Sequence, residues 1–382
     1  MSDTGAKAER QGRFWGELAF AGLVVLAVLA IIDQFVRRAV EPKVIDRVVD
    51  IQTESALKAK LDRLEAFHGK RVVLIGDSVV LGLTLKDTGD PQWESKTITA
   101  QLRRRLEEAF PGEPVLVANL ALNGALPADL DRLVELVLPA RPDLIILDVG
   151  LRGFSADFTG PGTVHSRDWL NRTGATKRAR GMERLLGATR KGIDRGINEP
   201  VRRRWRLLNL RDLAAQALLG ADVRQALVRQ REALRVALAA LYQDPMDDLG
   251  ADELELVLKA RTRLESVHLG EDNPQRQALV TMLSRIQAAN QPTLIFYARE
   301  NPELRDQVLR PERYYDLRTE LDALITAHLG SQVRYVPGVP SLDADRYLDL
   351  VHVDAEGFRR VVDALWPEIE AVMAGRISLA GP

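Results

Sequence analysis

Residues 71–78 read Arg-Val-Val-Leu-Ile-Gly-Asp-Ser, and no other stretch restricts the fold as strongly. Val72, Val73, Leu74 and Ile75 form an apolar run without alternation. A run this short reads as a strand buried on both faces, as in a parallel sheet. Gly76 is expected to let the chain turn sharply as it leaves the strand. Ser78 then falls at the C-terminal edge of the sheet, where open α/β folds place their ligands. A serine there, with its backbone N–H near a helix start, is placed to be a nucleophile beside an anion site. The alternative is a strand–turn–helix connection whose serine caps the helix. The stretch by itself leaves both open.

The rest of the chain repeats the pattern. A helix is expected over 98–110, a second buried strand over Pro114–Leu120, a helix over 128–138 and a third strand over Asp143–Gly150. Strands alternating with helices at this spacing imply βαβ units and a parallel sheet covered by helices. The alternation stops near Gly160. It resumes with strands at Pro292–Ala298 and Gln332–Pro337, a helix over 315–328, and an amphipathic helix over 355–374. Between lies a helical insertion. Its front part is basic, with Arg202-Arg203-Arg204 and Arg206 among many arginines. It reads either as a solvated helical surface or as a contact for lipid headgroups, an anionic polymer or a partner protein.

Leu18 to Ile32 carries no charge. With its flanks it approaches the roughly 20 residues needed to span a bilayer. Glu17 and Asp33 fall at its ends, where charge is tolerated, and Trp15 suits an interface. No small-x-small cleavage site follows the run, which favours an uncleaved anchor over a signal peptide or a buried core helix. Lys7, Arg10 and Arg13 before the span balance Arg37, Arg38, Lys43 and Arg47 after it, so charge does not set the orientation. The expected organisation is a tail (1–13), a transmembrane anchor (14–36), a helical stalk (37–70), an α/β domain in two parts (71–160 and 291–375), the insertion (161–290) and a tail (376–382). The stalk is expected either to pack on the domain or to pair with a partner helix.

Composition excludes several chemistries. The 382 residues include no cysteine, so there is no disulfide, Cys-ligated zinc, thiol nucleophile or lipidated cysteine. A net charge of −1 gives no case for nucleic acid. The histidines are scattered and no carboxylate cluster shows ligand spacing, so neither metal nor cofactor is implied. Asp349 and His352 lie three residues apart just before the last helix. That spacing lets the carboxylate accept from one imidazole nitrogen while the other faces outward as a base. Taken singly, His352 reads as a histidine at a helix start and Asp349 as a turn or cap residue.

Three separated blocks together resemble the SGNH/GDSL family of serine esterases and acyltransferases. Gly76-Asp77-Ser78 resembles the block with the nucleophile. Asn119-Leu120-Ala121-Leu122-Asn123-Gly124-Ala125 resembles the second, whose glycine, here Gly124, gives a backbone N–H to the oxyanion hole. Asp349-Leu350-Val351-His352 with Glu356-Gly357-Phe358 resembles the last, with acid and base. The resemblance implies a flavodoxin-like three-layer α/β/α domain over roughly 70–160 and 290–375. It also implies a Ser78–His352–Asp349 triad with the N–H groups of Ser78 and Gly124 as oxyanion donors. The family's third block usually reads Gly-x-Asn, but here Gly150-Leu151-Arg152 puts arginine in the asparagine's place. Removing an oxyanion donor costs about 10²–10³ in rate; an arginine either replaces it with a charged donor or points elsewhere.

With the anchor, these blocks are similar to membrane-anchored SGNH-like proteins associated with MBOAT acyltransferases. That resemblance implies a single-pass protein of a bacterial inner membrane with a periplasmic domain. The expected activity is that of a serine acyltransferase or esterase, with a polysaccharide or other envelope polymer as acyl acceptor. The competing expectations are a non-catalytic scaffold or polymer-binding partner of a membrane acyltransferase, and a flavodoxin-like nucleotide or phosphate binder. The last lacks a P-loop or Gly-x-Gly-x-x-Gly pattern.

Overall fold

The computed structural model describes residues 54–159, 261–339 and 342–375, with isolated positions at 23, 24, 27, 28, 31 and 170. The chain divides into two units, Met1–Val48 with Thr176–Leu234 and Val49–Ala175 with Arg235–Pro382. Nearly all described residues belong to the second. The expected anchor at 14–36 and most of the insertion at 161–290 lie outside them. Of the anchor, five positions are described as helical, and Leu23, Val24, Val28 and Ile31 among them are exposed. Among the described residues no helix is long and apolar enough to cross a membrane.

The second unit is built on five parallel strands: β1 (Lys70–Ile75), β2 (Val115–Asn119), β3 (Leu144–Asp148), β4 (Thr293–Phe296) and β5 (Val333–Val336). Their order is β2-β1-β3-β4-β5, every neighbouring pair parallel. The strand order reverses between β1 and β3, and the C-terminal edge there is the switch point at which open α/β sheets bind ligands. Val72 to Ile75 are fully buried, as their unalternating apolarity requires.

Eight helices matter here: α1 (Glu54–Ala66), α2 (Ser78–Leu81), α3 (Ile98–Ala109), α4 (Pro127–Val137), α5 (Pro274–Ala288), α6 (Pro302–Val308), α7 (Pro311–Ala327) and α8 (Ala355–Met373). Side chains alternate across a strand, so each face collects its own set. Val72, Leu74, Leu144, Ile146, Leu294 and Phe296 share one core with Leu102 and Leu106 of α3 and Val361, Leu365 and Ile369 of α8. The opposite face carries the buried Val73, Ile75, Ile145 and Leu147, and α4 and α5 pack together there, with α4 against β1. The described part of the stalk, α1, packs on the domain. It buries Leu57 and Leu64, and its buried Lys60 donates to the Asn119 carbonyl at 2.5 Å.

Helix α7 begins at Pro311, four residues ahead of the expected Tyr315. Proline at the first helical position has the right φ and lacks only an N–H that would have no intrahelical partner. Between α2 and α3 the chain makes two short helical turns, Thr84–Asp87 and Trp93–Lys96.

Gly76 has a different reason from the one expected. Its φ is outside the left-handed region. What it supplies is room: a Cβ there would lie 2.5 Å from Val80 Cγ2 and 2.9 Å from Asp148 Cβ. The register places Ile75 opposite Leu147, so the next residue of each strand is Gly76 and Asp148. Gly150, by contrast, has an extended backbone (φ −115°) and open space around it. Overpacking at Gly76→Ala is therefore expected to cost about 1–3 kcal/mol, whereas Gly150→Ala stays within about 0.5 kcal/mol of wild type. Chemical denaturation of the two variants checks the contrast.

Candidate active site

Ser78 is the first residue of α2, at the C-terminal end of β1. Asp77 is the cap: its Oδ1 accepts from the Val79 N–H at 2.8 Å. The capping role offered for Ser78 therefore belongs to its neighbour. The Ser78 hydroxyl makes no hydrogen bond among the described residues. Helix α2 ends at Gly82, whose φ of 75° is left-handed.

The second block reaches the same place by pairing beyond β2. The Leu120 N–H donates to Leu74 O at 2.8 Å, and the Leu122 N–H to Gly76 O at 3.0 Å. Gly124 then takes φ 71°, a conformation glycine adopts without cost. Asn119 organises this loop. Its Nδ2 donates to Val80 O (3.1 Å) and Thr99 Oγ1 (2.9 Å), and its Oδ1 accepts from the Ala121 N–H (2.9 Å). One buried amide thus ties β2, α2 and α3 together.

Arg152 lies in a short helical turn, Leu151–Phe154, just after β3. Its Nη2 stands 3.8 Å from Asp77 Oδ2, and 3.7 Å from where a Cβ on Gly124 would be. The guanidinium is thus beside the Ser78 turn, next to Gly124. At 3.8 Å it is attracted to Asp77 without a hydrogen bond, so its planar donors are not committed there.

Asp349 and His352 come from a tight loop before α8. Tyr347 and Val353 form an antiparallel bridge, and the Leu348 N–H donates to His352 O at 2.7 Å. Asp349 Oδ1 accepts from the N–H groups of Val351 (2.9 Å) and His352 (2.8 Å), and Oδ2 lies 2.7 Å from His352 Nδ1. The carboxylate therefore sets the tautomer, with Nδ1 protonated and Nε2 left with its lone pair. Burial pushes the Asp349 carboxyl up, but the hydrogen bonds from the His352 ring and from the backbone outweigh it, and the group titrates below the usual carboxylate range. His352 Nε2 is buried and has no hydrogen-bond partner among the described residues. The Ser78 hydroxyl and the imidazole are thus not hydrogen-bonded in this conformation.

The loop is held from β4. The Tyr347 hydroxyl donates to Arg299 O (2.9 Å), and the Asn301 N–H donates to Leu350 O (2.7 Å). Gly357 opens α8 against the loop; a Cβ there would fall 2.6 Å from Val353 Cβ. Beneath the loop a small apolar cleft is lined by Val79, Ala298, Arg299, Tyr347, Val353 and Phe358, among others. Behind Asn301 lies a buried carboxyl, Glu300, which accepts from the Tyr297 hydroxyl and, at 2.8 Å, from the Tyr314 hydroxyl. Burial raises the Glu300 carboxyl above its usual range, and those two hydroxyls oppose the shift.

Asp148 has no place among the expected site residues. It ends β3 directly beside Gly76 and is only 4% exposed. Burial raises its carboxyl well above the ordinary range, and the nearby Asp77 charge adds to the shift. Sequence alone carried one signal for it: an acid closing an otherwise apolar strand. Asn119, Tyr347 and Asn301 carried less, since each acts through a distant backbone group. Among the described residues, no group of three or more His, Asp or Glu side chains is placed to hold a metal ion.

No family model matches the chain, and no curated protein matches it by sequence. Among solved structures the chain is similar to TesA, with a TM-score of 0.38 and 13% identity over 79% of this chain and 99% of that one. It is also similar to a carbohydrate acetylesterase family member from Sinorhizobium meliloti, with a TM-score of 0.30 and 14% identity over 80% of this chain and 99% of that one. Neither likeness bears on what Ser78 does.

The Asp349–His352 contact has a pH signature. A carboxylate with a lowered folded pKa adds stability above its unfolded value, about 3.9, and loses it as pH falls through the folded value. Asp349→Asn is therefore expected to melt below wild type at neutral pH, with a gap that closes on acidification. Imidazole ¹⁵N shifts of His352 are expected to report the Nδ1-protonated tautomer in wild type and a tautomer mixture in Asp349→Ala.

Proposed function

We propose that this chain is a serine esterase or acyltransferase of SGNH type, tethered to a bacterial inner membrane by residues 14–36. Its domain faces the periplasm and acts in O-acylation of an envelope polysaccharide. The observation that supports this most is convergence at one sheet edge. An uncommitted serine hydroxyl, a left-handed glycine and an arginine meet at the switch point. An Asp–His pair with an unoccupied Nε2 is fixed on the loop that β4 holds.

In this reading the Ser78 Oγ–H proton passes to His352 Nε2 as Oγ bonds to the acyl carbon, and the carbonyl electron pair moves onto its oxygen. The N–H groups of Ser78 and Gly124 and the Arg152 guanidinium stabilise that oxyanion. Its collapse expels the donor's alkoxide, which takes the proton from His352. A sugar hydroxyl, or water in an esterase, then gives its proton to His352 and bonds to the acyl carbon; the second oxyanion collapses, the bond to Ser78 Oγ breaks, and Oγ recovers the proton from His352. Asp349 keeps the tautomer and stabilises the imidazolium. No metal or cofactor enters. A membrane acyltransferase of MBOAT type is the proposed partner that supplies the acyl group.

A second reading is a non-catalytic scaffold that binds the polymer or supports that acyltransferase. It is favoured by the unmade Ser78–His352 hydrogen bond and by arginine at position 152. A loose nucleophile–base contact is common before substrate arrives, so this observation does not outweigh the convergence. The two readings separate under a fluorophosphonate probe applied to the full chain in membranes. The enzyme reading expects labelling that maps to Ser78, disappears in Ser78→Ala and falls about 10²–10³-fold in Arg152→Ala. Absence of labelling together with normal envelope O-acylation in Ser78→Ala would establish the scaffold instead.

A further inference from the structure

Asp148 touches both halves of the candidate site. On one side it packs against Gly76, where a Cβ would lie 2.9 Å from Asp148 Cβ and 3.5 Å from its Oδ2. The next residues are the cap Asp77 and Ser78. On the other side its partner in the ladder is Phe296, the last residue of β4, and the Ala298 backbone just beyond opposes the upward shift of its carboxyl. The residues that follow are those that hold the histidine loop, through Arg299 O and the Asn301 N–H. One carboxyl oxygen, Oδ1, is buried and has no hydrogen-bond partner among the described residues. Among the described residues, the charges that act on the Asp148 carboxyl are both acids: Asp77 from the β1 side and Glu300 from the β4 side. Arg152 faces Asp77, and Arg318 lies over the Tyr297 ring at 3.4 Å and bonds Asp322.

We propose that Asp148 is a positioning residue that holds the Ser78 turn and the His352 loop in register while it carries a proton, and that its ionisation uncouples them. The inference rests on the reading of Ser78 as nucleophile. A neutral acid can occupy this dry position between the Ser78 turn and the end of β4. A carboxylate would be a third negative charge between two others, without a counter-ion, and a buried unpaired charge is costly enough to move its surroundings. The parts free to move are the short α2 turn and the loop at 347–353, because the strands are locked by their ladders. On ionisation the proton leaves to solvent and no bond to substrate changes. Burial and the Asp77 charge both hold the Asp148 carboxyl well above its ordinary range, so the neutral form extends above the usual carboxylate titration.

The test compares full-length wild type with Asp148→Asn, which keeps the shape and cannot ionise. The rate of Ser78 labelling by a fluorophosphonate is followed against pH. Wild type is expected to show a rising limb and then a descending limb of about tenfold per pH unit, and Asp148→Asn only the rising limb. Identical profiles overturn the proposal. Thermal unfolding gives a second arm that does not need activity. An acid with a raised folded pKa loses stability as pH rises from its unfolded toward its folded value, so the melting gap in favour of Asp148→Asn should widen with pH; a constant gap overturns the proposal. If Ser78 is labelled at no pH, the nucleophile reading has failed and the unfolding arm alone decides for Asp148. Should Asp148→Asn fail to fold, Glu300→Gln replaces it. Removing a facing negative charge lowers the Asp148 pKa, so the descending limb must move to lower pH, and an unmoved limb overturns the proposal.

Discussion

The close approach of β3 to β1 at the switch point is the contact on which the site depends. Two strands in parallel register bring Asp148 level with Gly76, and only a residue without a side chain leaves room. From that packing the rest follows in sequence. The chain leaves β1 over an acid, Asp77 caps the short helix, and Ser78 is presented with its hydroxyl unengaged. Three strand ends, from β1, β3 and β4, then lie side by side. Residues far apart in the chain become neighbours because each sits just past one of those ends.

The polar groups around the site divide into those that build and those that react. Asn119 is a builder: its amide satisfies groups from three elements and leaves nothing free for chemistry. Asp349 builds with one oxygen, which folds the loop, and tunes with the other, which orients the imidazole. Glu300 sits in a buried cluster whose two tyrosine hydroxyls satisfy both carboxyl oxygens. Buried acids are tolerated only with such partners. Asp148 stands out because one oxygen lacks them.

The strands were legible because a buried parallel strand has to be apolar on both faces, and Val72–Ile75 and Leu144–Leu147 are. Ser78, Asp349 and His352 were legible as residue types at element ends, and the Asp–His spacing correctly implied their hydrogen bond. The purpose of Gly76 was not legible. A glycine after a strand suggests a turn, and only the register across to Asp148 reveals a steric need. Asp148 itself escaped because its character comes from Asp77, Ala298 and Glu300, which no local window contains. Arg152 was readable as a departure from a pattern, but its place beside Asp77 depends on how the chain leaves β3. The anchor and most of the insertion lie outside the described residues, so the sequence reading of them stands as an expectation.

The proposed base and its orienting acid belong to the last described loop before α8, while the serine belongs to the first strand–helix turn of the domain. On a ribosome Ser78 therefore emerges long before Asp349 and His352. The front of the sheet can form early, but β4, β5 and α8 must arrive before the imidazole has a seat, and pairings of such long range form slowly. A chain cut short before α8 could still form the Ser78 turn, but the loop of Asp349 and His352 would have nothing to close against, so the two halves of the site differ in what their folding requires.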